Sequence, residues 1–498
     1  MVGLILPVLF GLAISLLISP EMRATERFAL SYGLGFGLLT LVMFLLNLLG
    51  IKFSLTNTSI CMLGIIAGSL FYRKRKKGSY HPLAELSRFL RGIGKTFASL
   101  SIFERIVLGF LIFFGVSNLI IAVYWPVIWW DALAIYDLRA KVLAETQSFP
   151  EAALKVMQPD YVFYYPPMTS LVQAWLYLWG WTNPKVFYSL LFISLAIIFY
   201  HSLRDHCPGY HCLLFTLILV STPSLYSHAT SAYTNFPFAF YFSVGTLYLY
   251  RWMMTSKKGF LTLAALFLGL SSWVRQESTI FFLGYCVVLL YFSISRRRFL
   301  APLWFAFLYF SIQPLWEIYF PQISHPQSST ALLASSSIIS GSSGILESSG
   351  TLSLSSGLGS LLGSILPNLS RMISLYIRAI VSPLRDGAGL FGQLFDFVRW
   401  KEVLQYLQEN ILMPYRVIAY LFVATIGLYA NRIGKYRFLL LLILSSIILF
   451  VVGAYVFSLR TFYWKTLGGS AERLFMMFVP IIWYFIALMT AESNRGEG

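Results

Sequence analysis

The sequence predicts an all-α polytopic membrane protein with about thirteen transmembrane helices. Hydrophobic residues make up 58% of the chain and the mean hydropathy is +0.72, well above the values of soluble domains. The apolar residues also fall into runs of roughly 17 to 25 residues, the length that crosses about 30 Å of hydrocarbon as a helix. The predicted spans are 3–19, 28–50, 54–72, 106–125, 184–203, 211–227, 236–252, 259–275, 279–295, 299–320, 413–430, 438–459 and 475–491.

Basic residues between the spans predict the orientation of the chain, because Lys and Arg stay in the short cytoplasmic loops of membrane proteins. The basic loops are separated from one another by even numbers of predicted spans, which places them on the same side of the membrane. They contain Arg73 to Lys77, Arg251 with Lys257 and Lys258, Arg296 to Arg298, and Arg432 with Lys435 and Arg437. The complementary segments are predicted to share the outer face; they are 126–183, 275–278, 321–412 and 460–474.

This bias also accounts for much of the net charge of +17, which suits anionic lipid headgroups. We therefore expect membrane lipids as partners and no nucleic acid. The first span follows no basic residue and precedes no clear small-residue cleavage site, so we expect it to remain in the protein.

Three segments depart from the pattern of simple spans. Met168 to Gly180 is apolar but only about 20 Å long as a helix, which predicts an interfacial or re-entrant helix. Residues 322–363 are a low-complexity tract of Ser, Gly and Leu, which predicts a mobile outer loop, with a substrate lid as the alternative. Leu394 to Leu412 has apolar residues at helical spacing, typical of an amphipathic helix on the outer surface.

A short loop predicted in the cytosol combines two cysteines with three histidines, which are ligands that zinc accepts. They are His201, His206, Cys207, His211 and Cys212. Their spacing matches no closed four-ligand pattern, and the loop is predicted to lie away from the other polar motifs. A solvated turn is therefore the favoured interpretation, and a metal site is the alternative.

Asp131 is the strongest candidate for a catalytic group. It follows Trp129 and Trp130 at the end of an apolar span, where a carboxylate is costly unless it has a function. Indole rings favour the headgroup level and can also stack on a sugar. On the helix predicted to follow, Asp137 and Lys141 are four residues apart and can pair with each other, whereas Asp131 has no such local partner.

Further polar residues lie in short motifs at the predicted outer face. They are Tyr164 and Tyr165 before Pro166 and Pro167, Tyr233 and Asn235 in SAYTNFP, Arg275 and Glu277 in SSWVRQES, and Lys465, Glu472 and Arg473 in YWKTLGGSAERLF. An interfacial aromatic belt explains the tyrosines equally well. Arg275 and Glu277 alternatively neutralise each other, although an exposed pair contributes at most about 1 kcal/mol.

The order of these motifs resembles that of the GT-C membrane glycosyltransferases, and is most similar to protein O-mannosyltransferases and the aminoarabinose transferase of lipid A. The likeness is carried by WD with an RAK tail, YPP, an aromatic-x-Asn-x-Pro turn, a Trp-x-Arg-x-Glu turn, and S-x-x-R-L before a last span that contains proline. It runs from about residue 106 to 485. Each motif is short, and the specificity comes from five motifs in order.

The resemblance implies a GT-C-like bundle divided into four regions. Residues 1–105 lie outside the resemblance and are predicted to be three added spans with a basic cytoplasmic loop. Residues 106–320 would form the core, with a catalytic first outer loop at 126–183. Residues 321–412 would be a flexible outer loop followed by an amphipathic helix, and 413–498 would be the C-terminal spans.

The resemblance also implies an enzyme that moves a sugar from a polyprenyl phosphate to an acceptor hydroxyl on the outer face, with inversion. Asp131 would be the catalytic base, because a hydroxyl needs a positioned carboxylate to take its proton. Cations would bind the lipid phosphate, and arginine suits phosphate oxygens. The implied substrate-binding residues are Trp130, Asp137, Arg139, Tyr164, Tyr165, Tyr233, Asn235, Arg275, Glu277, Lys465 and Arg473.

Asn235 departs from the family pattern, because many relatives carry Asp at this position. Asn cannot anchor a divalent cation strongly, so we expect metal-independent chemistry with no cofactor, and Glu277 as the alternative second acid. The acceptor is a lipid, a glycan or a protein, and the expected location is a bacterial plasma membrane.

Two other functional classes stay open. A polysaccharide polymerase or ligase would use outer-loop arginines and histidines and would tolerate the loss of Asp131. A transporter would place ionisable residues in mid-membrane or show duplicated halves.

Overall fold

Helices account for every regular element in the part of the chain that is described. The computed structural model describes residues 2–77, 100–150, 165–316, 396–460, 464–466 and 468–491. Contacts divide the chain into two units, one formed by Met1–Gln313 with Val398–Gly498 and the other by Pro314–Phe397. All contacts discussed below lie within the first unit. The predicted mobile tract 322–363 lies outside the described residues.

The bounds of the helices are given in chain order. The N-terminal part contains α1 (Val2–Ile18), α2 (Ala24–Leu48), α3 (Leu55–Lys77), α4 (Ile102–Tyr124), a π-helical turn (Ala132–Asp137), α5 (Leu138–Thr146), α6 (Met168–Leu178), α7 (Val186–Arg204), α8 (Gly209–Val220), α9 (Pro223–His228), α10 (Asn235–Thr255), α11 (Lys258–Val274), α12 (Ser278–Arg296) and α13 (Leu300–Phe310). The C-terminal part contains α14 (Phe397–Leu407), a π-helical turn (Gln408–Leu412), α15 (Arg416–Leu428), α16 (Ile433–Arg460), α17 (Gly468–Phe475) and α18 (Val479–Ala491). Short 3₁₀ turns at Ala430–Arg432, Trp464–Thr466 and Met476–Phe478 connect the last helices.

The chain is an integral multi-pass membrane protein. Among the described residues, seven helices are long and apolar enough to cross a membrane. The number is eight if Phe397–Leu412 and Arg416–Leu428, which meet at a bend of 99°, form one broken span. A helix lies in each of the thirteen predicted ranges, but several are shorter than a full span, so thirteen crossings are not confirmed. The predicted span 211–227, for example, breaks before Pro223, since a residue that precedes proline disfavours helical geometry.

Two glycines bring the first two helices into direct backbone contact. A Cβ atom at Gly11 would lie 2.0 Å from the Ser31 carbonyl oxygen, and one at Gly35 would lie 1.8 Å from the Pro7 carbonyl oxygen. No side chain larger than hydrogen fits at either position, because such distances are far below van der Waals contact. Helices α1 and α2 therefore pack as a close pair.

This pair belongs to the protein core. Trp175 of α6 donates its indole N–H to the Gly3 carbonyl at 2.8 Å, and Trp273 of α11 donates to Thr40 at 3.1 Å. Helix α3 differs. Most of its apolar residues are not buried inside the protein, whereas most of those in α2 are. The predicted boundary at residue 105 stays a prediction, and α1 and α2 contact the core helices on its other side.

A buried ion network connects α2 to α10 near the end of α10 that carries Arg251. Glu26 pairs with Arg251, and both side chains are almost fully buried. The Tyr248 hydroxyl donates to Glu26 at 2.7 Å. Asp205 at the end of α7 contacts Arg251 at 3.3 Å and the exposed Arg23 at 2.6 Å. We call these five residues the Glu26 network. They lie where the basic loops predict the cytoplasmic face.

Helix α6 is a buried element of the bundle, and the interfacial or re-entrant position of this helix in the membrane stays a prediction. Residues Met168 to Leu176 are all buried, and the helix packs against α5 and α2. With 11 residues it is about 16 Å long, too short to cross the hydrocarbon. The predicted amphipathic segment does form a helix, α14, in which Val403 and Leu407 are buried whereas Phe397, Val398 and Leu404 are exposed.

We predict that Glu26→Ala strongly destabilises the protein, because Arg251 would lose its closest partner inside the bundle. Removing one partner of a buried ion pair costs about 3–5 kcal/mol. The measurement is the free energy of unfolding, from denaturant titration in detergent. Arg23→Ala is the control, because its pair with Asp205 is exposed and should contribute about 1 kcal/mol or less. Equal effects of the two substitutions would contradict this prediction.

Candidate active site

The segment that carries Asp131 leaves α4 at Trp125 and enters the π-helical turn Ala132–Asp137. Trp129 and Trp130 are exposed, Trp130 by 72%. A π-helical turn adds a residue to the usual helical repeat and is frequent at functional sites. Here it separates Asp131 from α5, so that Asp131 and the residues of α5 do not follow one regular helical face.

Asp131 contacts Arg473, a residue 342 positions away in the sequence. Arg473 Nη1 lies 3.3 Å from Asp131 Oδ2, and the two side chains are 26% and 41% exposed. Arg473 is also held by its own helix, since Nε donates to the Gly469 carbonyl at 3.0 Å and Nη2 to Ser470 at 3.2 Å. Its guanidinium stacks over the Tyr233 ring at 5.2 Å. The Asp131 carboxylate is therefore held near a cation and is still open to solvent.

A second ion pair lies in the turn between α11 and α12. Arg275 donates to Glu277 Oε1 at 2.6 Å, and its guanidinium lies 5.0 Å from the Tyr165 ring centre. Burial opposes ionisation of Glu277, but the charge of Arg275 and its hydrogen bond outweigh burial and lower the pKa of Glu277 below its ordinary value. In return, Glu277 raises the pKa of Arg275 despite its burial.

Tyr165 lies within the electrostatic reach of both ion pairs. Burial raises the pKa of its phenol; Arg275 lowers it, Glu277 and Asp131 raise it, and Arg473 lowers it. The structure thus brings together five of the residues that the sequence singled out. We call Asp131, Tyr165, Arg275, Glu277 and Arg473 the charged cluster. Tyr233 lies at its edge, beneath Arg473.

Among the described residues, the charged cluster contains two buried atoms with no hydrogen-bond partner. Arg275 Nε and Glu277 Oε2 are both inaccessible to solvent and unsatisfied. Unsatisfied polar atoms inside proteins cost about 1–3 kcal/mol each and call for an explanation.

Asp137 and Arg139 bind protein groups, although the resemblance implied that they contact substrate. Asp137 is buried, pairs with Lys141 at 2.7 Å and accepts a hydrogen bond from Tyr177. Arg139 is fully buried and donates to main-chain carbonyls and to Ser170. Substrate contact by either residue stays a prediction, and this burial argues against it.

The remaining predicted site residues are spread around the charged cluster. Asn235 is buried at the start of α10, with 6% of its surface exposed. Lys465 is exposed and pairs with Glu402 of α14 at 3.2 Å. Trp130 is open to solvent. Tyr164 lies outside the described residues.

Sequence reasoning missed Thr234, a residue that connects parts of the site. Its hydroxyl lies 3.2 Å from the Tyr136 hydroxyl and 3.5 Å from Arg275 Nη1. Thr234 lies inside the SAYTNFP motif, between the two residues that were selected, so its position was an available signal. Ser470, which holds Arg473, is also within a motif.

The histidine and cysteine loop is a partly solvated turn, in which Arg204, Asp205 and Tyr210 are exposed while other side chains pack against neighbouring helices. Cys207 and Cys212 are buried. His201 hydrogen-bonds to Thr25 at 2.7 Å, and His211 to Thr490 of α18 at 3.1 Å. Within the described ranges, no group of three His, Cys, Asp or Glu residues is arranged to hold a metal ion.

No family model, curated protein or solved structure matches this chain. The geometry of the charged cluster and the order of the sequence motifs are therefore the basis for any assignment of function.

We predict that Arg275→Met destabilises the protein by about 1–3 kcal/mol near pH 7, because it leaves the half-buried Glu277 carboxylate without its counterion. In the wild type the folded-state pKa of Glu277 is below its ordinary value of 4.5, so the pair stabilises fully above that pH and loses its effect as the pH falls through the folded pKa. In the variant, burial alone would raise the pKa of Glu277. The deficit relative to wild type should therefore shrink as the pH is lowered from 8 to about 4.

The measurement is the thermal midpoint of both proteins in detergent across that pH range. The double variant Arg275→Met/Glu277→Gln is the control, since it has no carboxylate to titrate at this position and its deficit should vary less with pH. A deficit in Arg275→Met that stays constant across the range would contradict the coupling of the two charges.

Proposed function

We propose that this protein is a glycosyltransferase of the GT-C type, which moves a sugar from a polyprenyl-phosphate donor to an acceptor hydroxyl on the extracytoplasmic face. The observation that supports the proposal best is the pair formed by Asp131 and Arg473. It combines an accessible carboxylate with an arginine 3.3 Å away, beside exposed tryptophans at the end of an apolar helix. A base for the acceptor and a cation for a lipid phosphate are the two groups that this reaction requires.

In the proposed reaction the acceptor oxygen attacks the anomeric carbon of the sugar, and Asp131 takes the hydroxyl proton as the new carbon–oxygen bond forms. The bond between the anomeric carbon and the phosphate oxygen breaks on the opposite face, so the configuration inverts. Polyprenyl phosphate leaves with the bonding electrons. Arg473 is the first candidate to stabilise the negative charge of the leaving phosphate, because a guanidinium forms charge-assisted hydrogen bonds with phosphate oxygens.

Other residues of the site fit supporting roles. The Tyr233 ring and the exposed Trp130 offer faces on which a sugar can stack. Arg275 is hydrogen-bonded to Glu277 and lies over the Tyr165 ring. Its positive charge would therefore act on the donor at longer range. Lys465 is exposed and is suited to lipid headgroups near the site.

Metal-independent chemistry is part of the proposal. Asn235 is a neutral amide, and Asp131 is paired with an arginine, so neither residue offers the set of anionic oxygens that Mg²⁺ or Mn²⁺ prefers. Bacterial plasma membrane is the proposed location, and lipid, glycan and protein acceptors are all compatible with a base that is open to solvent.

We predict that Asp131→Asn lowers kcat by about 100-fold or more, because the amide cannot accept the acceptor proton. The measurement is release of polyprenyl phosphate by the purified protein from a panel of polyprenyl-phosphate sugars. Asp205→Asn is the matched control, since Asp205 belongs to the Glu26 network, at the opposite end of α10 from the charged cluster, and the substitution should leave kcat near the wild-type value. Unchanged turnover in Asp131→Asn would reject the assigned base, and no consumption of any donor by the wild type would favour the ligase or transporter alternatives.

We predict that Arg473→Gln raises the KM for the donor by about 10- to 100-fold, the loss expected for a charge-assisted hydrogen bond to phosphate. It should also lower kcat, because charge grows on the leaving phosphate during the reaction. Initial rates at varied donor concentration test both effects. Arg473→Lys keeps the charge without the planar fork and should lie between wild type and Arg473→Gln. A KM equal to that of wild type in Arg473→Gln would remove Arg473 from the donor site.

A further inference from the structure

We infer that Arg139 is a positioning residue of the proposed glycosyltransferase site, which holds Tyr165 and Tyr136 against Arg275 from inside the protein and does not contact the donor. The inference rests on the proposed function and adds a residue whose side chain lies behind the reacting groups.

The Arg139 guanidinium is bonded on three of its nitrogens. Nε donates to Ser170 Oγ at 2.8 Å, Nη1 donates to the Tyr165 carbonyl at 2.8 Å, and Nη2 lies 3.2 Å from the Pro166 carbonyl. Ser170 in turn donates to the Tyr136 carbonyl at 3.0 Å. One side chain therefore connects the π-helical turn, the segment before α6 and α6 itself.

Both connected tyrosines are linked to Arg275 of the charged cluster. The Tyr165 ring lies against the Arg275 guanidinium, with 5.0 Å between the ring centre and Cζ. The Tyr136 hydroxyl lies 3.2 Å from Thr234, and Thr234 is also within 3.5 Å of Arg275. The two tyrosine rings contact each other at 5.7 Å between their centres. Two connections that start at Arg139 thus end at Arg275.

Arginine suits this arrangement. Its planar fork presents donors on three nitrogens in fixed directions, whereas the three N–H donors of a lysine ammonium leave from a single nitrogen and do not match acceptors arranged around three. Arg139 has none of its surface exposed, so a lipid phosphate cannot reach it without displacing these bonds. Burial lowers the pKa of Arg139 to about 10, and the residue stays charged near pH 7.

The test compares Arg139→Lys, Ser170→Ala and the double variant in two measurements. The first is kcat and donor KM in the polyprenyl-phosphate release assay. The second is hydrogen exchange of the backbone amides in peptides that cover residues 165–178, which reports the order of the segment independently of activity. Arg432→Lys is the matched control, because Arg432 also donates to a main-chain carbonyl, Met489 O at 3.1 Å, remote from the charged cluster.

We expect Arg139→Lys to lower kcat by about 10- to 100-fold, the range seen when groups that orient a reactive residue are lost, with donor KM unchanged. Exchange in 165–178 should be faster than in wild type and in Arg432→Lys. Ser170→Ala should show the same pattern to a smaller degree. The double variant should lose less than the product of the two single effects, because both residues belong to one network.

Two results would overturn the inference. Wild-type kcat and wild-type exchange in Arg139→Lys would show that the bonds position nothing. A raised donor KM with unchanged exchange would mean that Arg139 binds the donor directly. Ser170→Ala provides the same test if Arg139→Lys does not fold. Faster exchange in the variants of a protein whose wild type consumes no polyprenyl-phosphate sugar would support the positioning role of Arg139 and reject the proposed function.

Discussion

The cost of placing charge in hydrocarbon determines where this chain can keep its polar residues. An ionised side chain in the middle of a bilayer is stable only when it is paired or faces water. The described charges accordingly collect at helix ends, in the Glu26 network at one end of α10 and in the charged cluster at the other. The apolar helices between them separate the two groups.

The two regions differ in how firmly their charges are held. In the Glu26 network the Glu26 and Arg251 side chains are 2% and 6% exposed, and the Tyr248 hydroxyl donates a hydrogen bond to the Glu26 carboxylate. Such a pair fixes one helix arrangement and has little freedom to exchange partners. Asp131 and Arg473 are 41% and 26% exposed and meet at 3.3 Å, so their contact is weak and easily replaced. The first geometry suits a structural connection and the second suits a site that binds ligands.

Composition and basic-residue parity were sufficient to predict a helical multi-pass protein, and motif order was sufficient to select five residues that meet in space. The contact between Asp131 and Arg473 was beyond prediction, because it joins positions 342 residues apart and depends on how α17 packs. The inward direction of Arg139 was also hidden, since the π-helical turn before α5 changes which residues share a face. Helix lengths were overestimated where a turn, such as that before Pro223, interrupts an apolar run.

Charge balance in the cluster explains why the accessible pair is the one that would change in the proposed reaction. Asp131 and Glu277 offset Arg473 and Arg275, so the four side chains carry no net charge. A donor phosphodiester adds one negative charge, which must find a cation. Arg275 cannot turn to it without leaving the half-buried Glu277 unpaired, which is costly. Arg473 can, because Gly469 and Ser470 keep hold of its guanidinium while the contact with Asp131 is exchanged for phosphate. That exchange would release Asp131 to act as a base once the donor is bound.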